Sequence, residues 1–381
     1  MKAPGFAGRW LHVIMKSEVV TIDARWINTS GMGTYLRNVL PGVISAFPSK
    51  KFYLLGDRVI LSKLPWTNSA NICLVDTVAS MYSIAEQLEL VRNIPDKTTI
   101  FWSTHYNVPL FYHGKMLVTV YDLFHLAKPE LVGGWHKKIY AKLMFWMVRR
   151  RAVAILTISR FTMDEFVRFT GKPIQPIYPI HLGVADAWFH IPPSVSPYPK
   201  KFILFVGNVK PHKNLSSLVK AFGLICDKVP HDLVIAGKKE GFLTGDSDVA
   251  NAAVGLGSRV HFTGYVDDET LQQYFAHADA MVFPSLYEGF GLPPLEAMAA
   301  GCPVLVSNSG PMPEICGDAA LYCDPYSVGD MAAKLLTILN NEPLRATLRQ
   351  RGLEHARTFT WDRCIVQTCD AIKGALAEQS R

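Results

Sequence analysis

The sequence predicts an α/β fold of two parallel-sheet domains, on three observations. Short β-rich runs alternate with helix-patterned runs along most of the chain, the pattern of a parallel layer built from strand–helix–strand units. The chain has 381 residues, more than one core comfortably organises. The alternation breaks once, at residues 190–200, where IPPSVSPYPK places four prolines and two serines in the manner of an interdomain linker. The expected organisation is a first domain over 1–189, a linker over 190–200, a second domain over 201–360 and a closing helix over 361–381.

The elements follow in order. VVTIDARWI (19–27) reads as a strand, SGMG (30–33) as a glycine loop, and TYLRNVLPGVISAF as the helix after it. KFYLLG, TIFWST and KMLVTVYD read as further strands, and AVAILTIS leads into the helix RFTMDEFVRF. After the linker come KFILFVG, the helix LSSLVKAFGLIC, HDLVIAG, RVHFTGYV, the helix DETLQQYFAHA, ADAMVFPS, PPLEAMAAG and PVLVSN. WDRCIVQTCDAIKGALAEQ carries helical spacing at the end.

Composition narrows the class. The chain is 49% hydrophobic and 19% charged, which suits large cores rather than disorder. Its seven cysteines are scattered and lack metal-ligand spacing, so a reducing compartment without a disulfide framework is expected. The first 16 residues have no apolar core like that of a signal peptide, and no run reaches the length of about 18 apolar residues expected of a membrane span. The expected setting is cytoplasmic. Net charge is +7 with 39 Lys/Arg and 32 Asp/Glu; the excess lies in residues 1–190, with 22 basic against 12 acidic side chains. Such a half suits an anionic partner, including the inner face of a membrane. GWHKKIYAKLMFWMVRRRA (134–152) mixes aromatics with six Lys/Arg: it reads either as a helix lying on an anionic membrane surface or as a buried helix with basic ends. The basic half has no nucleic-acid recognition motif, so no nucleic-acid partner is expected.

Candidate chemistry concentrates at 280–308, AMVFPSLYEGFGLPPLEAMAAGCPVLVSN. Glu288 and Glu296 flank a loop of small and apolar residues. Gly289 and Gly291 permit close approach to a ligand, and Pro293 and Pro294 suit the start of a helix. Glu288 is thus expected at the carboxyl end of a strand and Glu296 in the first turn of the next helix, where open parallel sheets bind ligands. Free N–H groups after Phe290 are suited to an anion. Glu296 is also explained by the helix dipole alone; Glu288 is not. Lys213, in GNVKPHKNL, stands at a helix entrance, where a cation opposes the dipole unless a ligand anion offsets it.

These residues resemble the signature of retaining glycosyltransferases of family 4, which share the GT-B fold. EGFGLPPLE, FVGNVKPHKNLSSLVKAF and GPMPEICGDAALYCDPYS carry the likeness in the second half. DARWINTSGMGTYLRNVL and VTVYDLFHLAKPE resemble a branch rich in bacterial polysaccharide mannosyl- and rhamnosyltransferases. The resemblance implies two Rossmann-like domains facing a cleft, the first taking the acceptor and the second a nucleotide-sugar. Glu288 would contact the donor sugar and Glu296 the ribose. Lys213 and the N–H groups near Phe290, Gly291 and Leu292 would meet the diphosphate, with Tyr265 and Val266 beside the base. Gly31 and Gly33 would approach the donor phosphate and acceptor. Tyr121 and Asp122 stand where many relatives carry His-Asp; the Tyr121 phenol can still hydrogen-bond a sugar hydroxyl, and His125, four residues on, can take the histidine's place only if the loop turns it inward. Asn208 stands where many carry Arg. Ser159 lies near the donor site in the family and also reads as a helix cap.

The expected activity is a metal-independent, retaining hexosyltransferase, with mannose from GDP-mannose as the first choice and a glycan or polyprenyl-diphosphate-linked acceptor. No cofactor is expected, since the nucleotide-sugar is a co-substrate. A UDP-sugar-dependent glucosyl- or N-acetylglucosaminyltransferase is the alternative within enzymes. A catalytically silent nucleotide-sugar-binding or scaffold protein is the alternative outside them. Asp246-Ser247-Asp248 is a DxD triplet, but its Gly- and Ser-flanked setting reads as turn chemistry rather than a metal site.

Overall fold

A computed structural model describes residues 18–237, 249 and 253–377. The N-terminal 16 residues and the Asp246-Ser247-Asp248 triplet lie outside the described residues. Two parallel sheets organise the chain. The first contains β1 Val19–Asp23, β2 Lys51–Gly56, β3 Ile72–Asp76, β4 Ile100–Ser103, β5 Met116–Val120, β6 Ala152–Thr157 and β7 Ile177–Pro179, in the order β3-β2-β1-β4-β5-β6-β7. The second contains β8 Phe202–Val206, β9 Asp232–Ala236, β10 Val260–Gly264, β11 Ala280–Phe283, β12 Val304–Ser307 and β13 Leu321–Cys323, in the order β10-β9-β8-β11-β12-β13. This is the expected pair of Rossmann-like domains. Central strands such as VVTID, MLVTV and DLVIA are buried along their whole length, because helices cover both faces of a parallel sheet.

Strand order reverses between β1 and β4 in the first sheet and between β8 and β11 in the second. Loops leaving the carboxyl ends of such strands diverge and open a ligand crevice. The loop after β11 in the second domain meets the end of β5 in the first.

Local chemistry sets the element ends. β1 stops at Asp23, earlier than the apolar run suggests. The Arg25 backbone N–H and guanidinium both bind the Asp23 carboxylate, at 3.2, 2.8 and 2.8 Å, which turns the chain. SGMG is not a free loop: the helix Gly31–Ala46 begins inside it and both glycines occupy its first turn. Gly33 is required by packing, since a Cβ there would lie 2.5 Å from the Ile27 carbonyl oxygen, whereas Gly31 faces open space. The helix of the carboxylate motif spans Leu292–Ala299, one residue before the proline pair. Glu296 therefore sits in its second turn, not its first. The short edge strands β3, β7 and β13 escape the pattern reading because partial exposure and brevity hide their alternation.

The segment 190–200 is anchored to the second domain. The Tyr198 hydroxyl donates to Asp232 at 2.7 Å, and Ser194 bonds Gln273. The chain crosses back near 359–361. Val184 N–H donates to the Phe359 carbonyl at 3.0 Å, and Gly183 lies so close to Trp361 that a Cβ would approach its backbone nitrogen to 2.2 Å. The closing helix Trp361–Ala377 then packs on Gly31–Ala46, with Ile365 filling the space over Gly42. It buries Cys364, Ala371, Ile372 and Ala375 in an apolar cluster shared with Leu36 and Val39.

Ile372→Ala is expected to cost about 2–5 kcal/mol, read as a lower urea midpoint. An unchanged midpoint would show that the closing helix is not part of this core.

Candidate active site

Lys213 and Glu288 come together where the second sheet reverses. β8 leads through Gly207 into a short 3₁₀ turn, Pro211–Lys213, and then into the helix Leu215–Gly223. Asn214 joins the two in the left-handed conformation, φ 57°. Asn tolerates it better than most non-glycine residues, and here its amide locks the loop by donating to the Pro284 and Pro325 carbonyls at 3.1 and 2.7 Å. The Leu286 N–H donates to the His212 carbonyl at 2.8 Å, tying the loop after β8 to the loop after β11. Held this way, Lys213 Nζ donates to Glu288 Oε1 at 2.6 Å. The two side chains are 17% and 16% exposed: shielded, but open to a ligand. The anion that the exposed helix entrance calls for is thus supplied in part by the chain itself.

The next residues are set by contact with the first domain. The Gly289 carbonyl accepts from Ser159 Oγ at 2.6 Å and Thr162 Oγ1 at 3.1 Å. A Cβ on Gly289 would lie 1.9 Å from the Tyr121 carbonyl oxygen, so only glycine fits without movement. Gly291, at φ +113°, begins the helix Leu292–Ala299. Among the described residues, the Phe290 and Gly291 N–H groups have no protein acceptor. They stand two and three residues past Glu288 at a helix start, a place suited to an anion. The Phe290 ring does not face the cleft; it is buried against His181 and Phe359.

The first domain contributes Asp122 and His125 after β5. Asp122 accepts from Phe124 N–H at 2.9 Å. Burial raises its pKa, and the nearby Glu288 charge adds to this, while His125 and Lys210 oppose it. Burial lowers the His125 pKa, against the pull of Asp122, and its Nδ1 lies 3.3 Å from the Tyr106 hydroxyl. Tyr121 departs from expectation. Its ring is buried edge-on to Tyr35, and its hydroxyl has no partner among the described residues. What it offers the cleft is its backbone carbonyl, so a sugar contact through the phenol is not supported. Ser159 is the helix cap expected of it, its Oγ accepting from Thr162 N–H at 3.0 Å, and the same Oγ donates to the Gly289 carbonyl.

Glu296 is half-buried in the second turn of its helix, within electrostatic reach of Asp268, the first residue of the helix Asp268–His277. Desolvation, with help from Asp268, pushes its carboxyl up to about 8. Donated hydrogen bonds from ligand hydroxyls would favour the charged form. Val266, on the loop after β10, packs at the core edge, and Tyr265 is exposed. Asn208 is exposed on the loop after β8.

Several residues escaped the sequence reading. Lys210 lies near enough to Asp122 and His212 to bias both, and is the second cation of this loop where Asn208 supplies none; its spacing from Lys213 in VKPHK was the available signal. Tyr287 OH accepts from Leu123 N–H at 3.2 Å, and its ring lies between Phe124 and Phe161. Glu314 accepts from the Arg160 and Phe161 N–H groups at 2.8 and 2.9 Å and pairs with His181 at 2.6 Å. Burial raises the Glu314 pKa, but these partners outweigh it and leave the value lowered. Nothing local in sequence marks such a contact. Among the described residues, no group of three or more His, Cys, Asp or Glu side chains is arranged to hold a metal ion.

Comparison with known proteins agrees with this architecture. Residues 186–355 match the family described as Glycosyl transferases group 1. The chain is 32% identical over 284 residues to O-antigen chain mannosyltransferase B of Escherichia coli, covering 70% of this chain and 74% of that protein. It is 29% identical over 225 residues to the serotype-specific mannosyltransferase WbdA of Escherichia coli, covering 55% of this chain and 27% of that longer protein. Among solved structures, sucrose-phosphate synthase from Thermosynechococcus elongatus superposes with a TM-score of 0.74 at 18% identity, over 95% of this chain and 100% of that one.

Two outcomes are expected. Gly289→Ala, which must displace either the loop or the end of β5, loses nucleotide-sugar binding by calorimetry even where circular dichroism shows a folded protein; wild-type affinity would refute the close contact. The raised Glu296 value means that the folded chain holds this proton more tightly than the unfolded chain does. The stability it supports is full below the ordinary value of 4.5 and is lost as pH rises through about 8. Between about pH 5 and about pH 9 the wild-type melting temperature therefore falls relative to Glu296→Gln; parallel curves would refute the shift.

Proposed function

The chain belongs to the group 1 glycosyl transferases, and from that premise we propose that it moves mannose from GDP-mannose to a lipid-linked or polysaccharide acceptor in cell-surface glycan synthesis, with retention at the anomeric carbon and without a metal ion. The observation that carries this reading is the Lys213–Glu288 pair at the reversal of the second sheet, beside the open N–H groups of Phe290 and Gly291. The choice of mannose, and of a surface glycan as product, is supported by relatives named as O-antigen and serotype-specific mannosyltransferases.

The ammonium of Lys213 has three donors. It can hold Glu288 with one and a donor phosphate oxygen with another. The N–H groups at the helix start complete a cationic rim around the diphosphate, and Lys210 adds a second charge. Fixed donors of this kind stabilise charge developing on the leaving group without reorganisation. Glu296 takes the ribose hydroxyls, and the loop at Tyr265 and Val266 borders the base.

Glu288 then orients the sugar hydroxyls. A carboxylate paired to an ammonium at 2.6 Å is poorly suited to attack, which supports its role as an orienting and charge-balancing group. The bond from the anomeric carbon to the phosphate oxygen breaks as the acceptor hydroxyl oxygen bonds to that carbon on the same face. The acceptor proton passes to the departing phosphate oxygen. Inversion needs a base on the opposite face. The Lys213–Glu288 pair lies on the second-domain, donor side, which favours the same-face route. Asp122 and His125 instead border the acceptor.

Lys213→Ala and Glu288→Gln are each expected to lower kcat by about 10²–10³-fold in proteins with wild-type circular dichroism; near-normal turnover in either would sink the assignment. Proton NMR of the product from GDP-α-mannose should show an α linkage, and a β linkage would overturn the same-face mechanism. Transfer should persist in EDTA; loss restored by magnesium or manganese would overturn metal independence.

A further inference from the structure

The helix Arg160–Thr170 of the first domain starts against the second domain. The first N–H groups of a helix lack partners within it. Here Ser159 Oγ accepts from the Thr162 N–H at 3.0 Å. The Arg160 and Phe161 N–H groups donate to Glu314, one to each carboxylate oxygen, at 2.8 and 2.9 Å. Glu314 belongs to the helix Met312–Cys316 of the second domain. A helix start favours an anion. This helix has no acidic residue in its own first turn and takes its carboxylate from the other domain.

The same carboxylate is tied to the loop after β11. Glu314 Oε1 pairs with His181 Nε2 at 2.6 Å. The His181 ring packs on Phe359, where the chain crosses back, and on Phe290, with centroids 5.5 and 6.0 Å away. Met312, two residues before Glu314, lies against Gly291, where a Cβ would approach its Cε to 2.4 Å. Glu314 is half-buried, and each of its oxygens is already engaged within the protein. Such a group is placed to hold its neighbours rather than to meet a substrate. Bonds from N–H groups to a carboxylate are stronger than those between neutral partners.

The chain passes between the domains at 190–200 and again near 359–361, so the angle between the two sheets depends on contacts across the cleft. We infer that Glu314 is a positioning residue: by capping a first-domain helix from the second domain, it holds the sheets at the angle that readies the Phe290 and Gly291 N–H groups for a nucleotide diphosphate. Its action on those groups is indirect, through His181 on Phe290 and through Met312 against Gly291.

This role has a kinetic signature. A chain that holds its binding-competent arrangement only part of the time has its apparent Kd raised by the inverse of that fraction. Weakening the cap therefore raises Kd and KM for the donor. Saturating donor draws the domains back together, so kcat is kept. The nucleotide as ligand rests on the function proposed above; the contact between domains does not.

The test compares the full-length wild type with Glu314→Gln, which keeps the shape of the side chain but loses its charge and one acceptor. GDP binding is measured by calorimetry, the radius of gyration by small-angle X-ray scattering with and without GDP, and transfer as a function of donor. The variant should bind GDP about tenfold more weakly, with the donor KM raised in step and kcat within about twofold of wild type. Without nucleotide its radius of gyration should exceed the wild-type value, and saturating GDP should restore it. Unchanged GDP affinity and unchanged scattering overturn the inference. So does a lower melting temperature with unchanged GDP affinity, which would make the contact structural only. A fall in kcat at unchanged KM also overturns it, by placing Glu314 in the chemistry. If the wild type binds UDP and not GDP, the proposed donor fails. The same comparison is then read with UDP, and the scattering without nucleotide decides the inference in either case.

Discussion

The cleft is registered at one peptide. Gly289 has no side chain because the Tyr121 carbonyl occupies that space, and its own carbonyl is held by Ser159 and Thr162. The residues on both sides of it are positioned as a result. Tyr287 before it reaches the Leu123 N–H, Glu288 is turned toward Lys213, and the N–H groups after it stay open at a helix start. The loop after β11 in the second domain is thus shaped by the first domain. A change in how the two sheets face each other moves the carboxylate, the ammonium and the anion donors together.

Electrostatics within the cleft follow from unequal shielding. Lys213 and Glu288 neutralise each other at the rim. Asp122 and Glu296 are both pushed toward protonation by burial. His212, packed on the Phe124 ring at 4.7 Å, is driven down to about 4 by the same cause and is neutral at physiological pH. The positive charge this loop can offer an anion therefore comes from its two lysines and from helix N–H groups, not from histidine.

Much of this was legible in the sequence. The central strands announce themselves as apolar runs, because burial on both faces leaves no alternation to misread. The ends of β8 and β11 were marked by glycines and by charged residues out of place in apolar surroundings. What was not legible is pairing across distance. Lys213 and Glu288 were each assigned a ligand, yet 75 residues apart in sequence they are ligands to each other. Tyr121 looked like a hydroxyl donor, but residue type does not say which way a ring turns at the end of a strand. Glu314 sits in a motif that resemblance covered, while its bonds to Arg160 and Phe161 depend on a domain orientation that no local pattern encodes. The basic, aromatic composition of 134–152 was visible; which of its apolar residues face outward required the packed domain.

The closing helix has a consequence for how the protein is made. Residues 361–377 lie against the helix of residues 31–46 and share its apolar cluster, so the first domain is completed by a segment that follows the whole second domain along the chain. Chains generally fold domain by domain as they emerge from the ribosome. Here the described strands of the second sheet are all in hand by residue 323, while the first domain waits with an apolar groove open until residues 361–377 have emerged. Of the two domains, the one encoded first becomes native second, and for that interval its unfilled groove is the surface most in need of a chaperone.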